Sequence, residues 1–70
     1  MNQAQAKIVL MYAEANMNLS EVARNTFYHR NTLEFYMGRI YDITGLDPKN
    51  FYDLVILVDR AKKVLMGEEE

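Results

Sequence analysis

Apolar residues recur every three or four positions along this chain and nowhere alternate with polar ones for long. Ile8, Met11, Tyr12 and Ala15 stand at i, i+3, i+4 and i+7, and Val9 and Ala13 widen that stripe, while Leu10 points nearly opposite and is either exposed or covered by something else. Leu33, Met37 and Ile40 repeat the spacing, bordered by Tyr36 and Ile43. Phe51, Leu54, Val55, Val58, Ala61 and Leu65 repeat it again, leaving Ile56, Leu57 and Val64 outside. A 3.6-residue helix gathers such positions on one face, whereas a strand needs alternation. The pattern predicts helices throughout and no sheet.

Punctuation residues set the boundaries. The first helix spans about residues 3–15 and ends at "NMN", 16–18. The second is short, about 20–26, with Ser20 as N-cap and Leu19 packing back on it as a staple. Val22, Ala23 and either Thr26 or Phe27 face inward from it. The third starts at His29 or Arg30 and runs to about Thr44, where Gly45 supplies a left-handed C-cap. "LDPKN" then turns the chain, with Pro48 in a first helical turn and Asp47 as its cap. The last helix runs from about Asn50 to Met66, with Lys62 and Lys63 at its negative end. The expected fold is all-α, a small four-helix bundle.

Seventy residues make one domain, here residues 1–67 followed by an acidic frayed tail, 68–70. A chain this short buries only about 60% of its unfolded surface and usually gains from a cross-link, a metal or a partner. With no Cys there is no disulfide, and a single His is too few for a histidine zinc site. No cofactor or metal is expected. Half of the residues are hydrophobic, which favours a partner chain or a longer parent protein. No run approaches the roughly 18–20 apolar residues of a membrane span, and the absence of Cys fits a reducing cytoplasm. The formal charge of −2 comes from 8 basic and 10 acidic residues; without Glu68, Glu69 and Glu70 the body carries 8 against 7, or +1. That is neither a strongly basic nucleic-acid binder nor an acidic mimic. No nucleophile–base grouping, Gly-rich phosphate loop or carboxylate pair appears, so an enzyme is not expected.

The second and third helices, joined by a short turn, carry the spacing of a helix-turn-helix. A cap, a short helix with small Ala23 at its centre, a turn and a polar helix start follow in order. Residues 18–47, "NLSEVARNTFYHRNTLEFYMGRIYDITGLD", are more specific. They resemble the C-terminal helix-turn-helix of PucR-type transcriptional regulators, which include bacterial sugar-diacid and purine-catabolism regulators. More distantly the segment is similar to the DNA-binding end of the Fis nucleoid protein. The resemblance extends over about residues 9–60 and is carried by "HRNTL", "RI" and "TGLD".

This likeness implies double-stranded DNA as partner, bound as a homodimer or within a longer regulator chain. It implies that His29, Arg30, Asn31 and Thr32 open the recognition helix, about 30–44, that enters the major groove. Arg30 can bond a guanine edge or a phosphate, Asn31 can read adenine, and Thr32 suits a phosphate. Arg24 and Arg39 are further phosphate contacts. The family pattern runs H-R-N-T-L-R-Y-R-L-K-R-I, and here Glu34, Tyr36 and Gly38 each replace a base. Arg30 and Arg39 are balanced by Glu34 and Asp42, so the recognition helix is neutral. Phosphate repels Glu34, although its carboxylate can accept from cytosine N4.

Simpler readings stand beside these. His29 reads first as a cap or turn contact and second as a phosphate contact. Phe27, Tyr28, Phe35, Tyr36 and Tyr41 read mostly as core and partner surface, not as base-stacking residues. Gly38 has two equal readings: a close approach of DNA or of another helix, and neutral drift. A different use of the fold also follows from the departures: a helix-turn-helix scaffold without strong DNA affinity, serving protein interaction or dimerisation. Glu34, Tyr36 and Gly38 motivate it, with Leu10, Ile56 and Leu57 outside their stripes.

Overall fold

The computed structural model describes residues 1–67; the acidic tail lies outside the described residues. Four helices follow in order: α1 Gln3–Glu14, α2 Leu19–Arg24, α3 Arg30–Thr44 and α4 Phe51–Leu65. No strand occurs among the described residues. Helix α1 is central: α4 lies along it, and α2 and α3, which pack on each other, also pack on it. Ile8 and Val9 of α1, Leu33 and Ile40 of α3, and Leu57 and Ala61 of α4 are fully buried in one shared core. The third helix has the predicted face, with Leu33, Met37 and Ile40 inward. Ile43, expected at its border, is 48% exposed.

Helix ends follow local chemistry. Asn2 and Gln5 form a reciprocal capping box at the start of α1, with bonds of 2.8 and 2.9 Å. Asn16 and Met17 take left-handed φ values of 55° and 65°, which stop α1 and aim the chain into α2. Gly45 closes α3 at φ 73°, its N–H donating to the Tyr41 carbonyl at 2.8 Å, as its position predicts.

Several expectations are corrected. The N-cap of α2 is Asn18, not Ser20: the Asn18 Oδ1 accepts the Glu21 N–H at 3.1 Å. Leu19 is then the first helical residue and is buried, and Ser20 lies inside the helix. Asp47 does not cap α4, because Asn50 accepts the Asp53 N–H at 3.1 Å. Asp47 instead ties the turn, accepting the Lys49 N–H at 2.9 Å and donating its own N–H to Asp53 at 3.0 Å. Pro48 is fully buried in that turn, ahead of the helix.

The apolar stripe of α4 is also rotated from the expected one. Leu54, Leu57, Ala61 and Val64 are buried, while Phe51 and Val55 are 61% and 55% exposed. Both sets have helical period, because α4 is apolar around more than half its circumference. Leu54 and Ala61 belong to both sets, and docking against α1 selects Leu57 and Val64 beside them over Phe51 and Val55. Leu57 and Val64 are therefore core, and only Ile56 stands outside the buried stripe as expected. Leu10, which the spacing left either exposed or covered, is half-buried against the core edge.

Candidate nucleic-acid interface

The turn between α2 and α3 is built around Thr26. Its hydroxyl donates to the Val22 carbonyl at 2.9 Å and accepts the Tyr28 N–H at 3.2 Å. Thr26 is thus the residue that turns inward, and Phe27 is wholly exposed at the tip. His29 follows in extended conformation and occupies the N-cap of α3, but its side chain makes no cap hydrogen bond. The first-turn N–H groups of Arg30, Asn31 and Thr32 therefore have no side-chain acceptor at the cap. That is the arrangement in which a helix start receives an anion.

The sequence-predicted residues fall into two groups. His29, Arg30, Asn31 and Thr32 are contiguous and exposed at the start of α3, and exposed Arg39 lies further along the same helix. Arg24 sits at the end of α2, 67% exposed, with its guanidinium 3.9 Å from Glu21. Arg30 spans the two helices: its Nη1 donates to Ser20 Oγ at 2.5 Å, and its Nε lies 3.9 Å from the Glu34 carboxylate. Ser20, displaced from its expected cap role, thus holds the leading arginine of α3.

Glu34 is not an isolated charge on an open face. Lys49, from the turn before α4, places its ammonium 2.5 Å from Glu34 Oε1, whereas Arg30 meets Oε2. One carboxylate lies between two cations, which offsets its repulsion of phosphate and at the same time occupies both bases. Buried Tyr12 lies behind this cluster, lining with Arg30, Glu34 and Lys49 an open cleft of about 510 Å³. Burial raises the Tyr12 phenol above its ordinary 10.0, opposed by the positive charge of Lys49 and reinforced by Glu34 and Asp47.

The outward face of α3, opposite Leu33, Met37 and Ile40, carries Asn31, Phe35, Gly38 and Asp42. Phe35 is 65% exposed, Tyr41 is 53% exposed, and Phe27 is fully so. The aromatic cluster, read mostly as core and partner surface, is divided. Tyr28 and Tyr36 pack against the core edge, and Phe27, Phe35 and Tyr41 face solvent. Phe35, read from the sequence only as part of the aromatic cluster, stands about 200° around the helix from Leu33, on the outward face. Among the described residues no group of three or more His, Cys, Asp or Glu is placed to hold a metal ion. No helix among them is long and apolar enough to cross a membrane.

Comparison with known proteins gives a consistent result. The model of the PucR C-terminal helix-turn-helix domain matches residues 6–58. A carbohydrate diacid regulator of Escherichia coli (strain K12) is 43% identical over 42 residues, 60% of this chain. The match takes in 11% of that regulator's length, so the chain corresponds to a small part of it. No solved structure matches.

Proposed function

Because the chain belongs to the PucR C-terminal helix-turn-helix family, we propose that it is the sequence-specific DNA-binding part of a cytoplasmic transcriptional regulator, with α3 entering the major groove. The observation that carries this reading is the exposed start of α3. There Arg30, Asn31 and Thr32 stand beside first-turn N–H groups that His29 leaves uncapped. In this role Arg30 contacts a guanine edge or a phosphate, Asn31 reads adenine, and Thr32, Arg24 and Arg39 position the backbone. Glu34 acts on Arg30 and Lys49, between which it lies.

The magnitude of charge sets the stoichiometry. Each neutralised phosphate contributes a log–log salt slope of about −0.9, and Arg24, Arg30, Arg39 and Lys49 supply roughly three or four contacts. A single copy would release DNA in physiological salt. Two copies, joined directly or through a longer parent chain, would span half-sites about one helical turn apart. A second reading has its own support. Phe51, Tyr52, Val55 and Ile56 leave an apolar surface on α4, from 46% to 78% exposed, which suits an interaction module.

Fluorescence anisotropy on mixed-sequence duplexes, in a salt series, separates the readings. DNA binding predicts saturable, salt-sensitive association that Arg30→Ala weakens while the circular dichroism of the helices is unchanged. Equal binding by the variant would remove α3 from the interface. A folded chain with no affinity at low salt would leave the interaction module.

A further inference from the structure

Phe35 occupies the centre of the outward face of α3 and has no place in a purely electrostatic account of that helix. It is 65% exposed. A phenyl group in water forgoes most of the favourable free energy that its burial would bring. Its ring meets Tyr36 edge-on, with centroids 6.3 Å apart and planes at 73°, and Tyr36 meets Tyr28 the same way at 5.7 Å. Tyr28 and Tyr36 pack against the core, so this aromatic series restrains an exposed ring from behind. One turn before Phe35 stands Asn31, and three residues after it stands Gly38. A Cβ at Gly38 would meet nothing within 4 Å, so that part of the face is open backbone. The face therefore presents one amide, one apolar ring and a gap, with the carboxylate of Asp42 at its far end.

We propose that Phe35 is a specificity-determining residue that packs on the 5-methyl group of a thymine in the major groove. This rests on the DNA-binding reading of α3 and adds to it the kind of base recognised. A phenyl ring has no strong donor or acceptor, so the base-edge feature it can select is the methyl group, which only thymine carries there. Asn31 and Phe35 are separated along the helix by about 6 Å, close to two base-pair steps of ~3.4 Å. The recognised thymine accordingly lies within two steps of the base that Asn31 contacts. Because Phe35 is uncharged, its contribution changes affinity without changing the salt slope.

The test uses the 70-residue chain and duplexes enriched by it from a random pool, with each thymine replaced in turn by deoxyuridine. That exchange deletes the methyl and keeps every hydrogen-bonding group. For the wild-type chain, replacement at one position should lower affinity about four-fold, the factor carried by one buried carbon group. Phe35→Ala should bind thymine and uracil duplexes alike at an unchanged salt slope, and Phe35→Leu should keep the discrimination. Salt-dependent binding with no thymine preference, or a preference that survives in Phe35→Ala, would overturn the role of Phe35 while leaving α3 a DNA reader. Absence of saturable DNA binding would overturn the DNA-binding reading, and this inference with it.

Discussion

The Lys49 ammonium lies 2.5 Å from the Glu34 carboxylate, linking the turn before α4 to α3. Glu34 also faces Arg30 one turn earlier in α3. The acidic residue that most departs from the family pattern is therefore the hub of a small cation–carboxylate–cation group. Its removal frees two bases at once.

Glu34→Gln should consequently raise affinity for mixed-sequence duplex DNA, about three- to ten-fold at low salt, and steepen the salt slope by roughly one. Both partners of the pair are well exposed, so stability should change by less than about 1 kcal/mol. Anisotropy titrations over a salt series read both effects. A weaker affinity would mean that Glu34 itself contacts DNA, and an unchanged one that the bases it holds do not reach phosphate.

The cap of α2 separates two neighbouring residues. Asn18→Ala removes the acceptor of the Glu21 N–H and should cost about 1 kcal/mol. Ser20→Ala, inside the helix and bonded only to exposed Arg30, should cost less than about 0.5 kcal/mol. Urea unfolding followed by circular dichroism measures both, and the reverse order would restore Ser20 as the cap.

The rotated stripe of α4 is open to the same approach. Leu57 is fully buried, and Leu57→Ala should cost about 2–5 kcal/mol, enough to unfold a domain this small. Ile56, 46% exposed, should tolerate alanine within about 0.5 kcal/mol. Thermal unfolding that ranks Ile56→Ala as the more damaging would reverse the orientation of the helix.

Tyr12 gives a pH signature. Its folded-state pKa is raised, mainly by burial, so the folded protein holds the phenolic proton more tightly than the unfolded chain. Its contribution to stability is complete below the ordinary 10.0 and is lost as pH rises through the folded value. Stability should fall above pH ~10, and Tyr12→Phe should flatten part of that fall. Denaturant midpoints for both proteins across alkaline pH check it; parallel curves would remove Tyr12 as the source.

Much of the architecture was legible before any coordinates. The helical spacing at Leu33, Met37 and Ile40, the glycine at 45 and the "HRNTL" stretch determined an all-α chain, the register of α3 and the family to which the chain belongs. These are local properties: a 3.6-residue period, a left-handed cap and a short motif each sit within one or two turns of chain. The burial of Leu57 over Val55, the cap at Asn18 over Ser20, and the pairing of Glu34 with Lys49 were decided only in three dimensions. A helix apolar on most of its surface has no preferred inward face until another helix docks against it, and α1 makes that choice for α4. A charge fifteen residues away becomes a neighbour only when the turn at Pro48 folds back over α3. Sequence thus determined which elements form and what they resemble; tertiary packing decided which side chains they bury, and which charges and rings they leave facing outward.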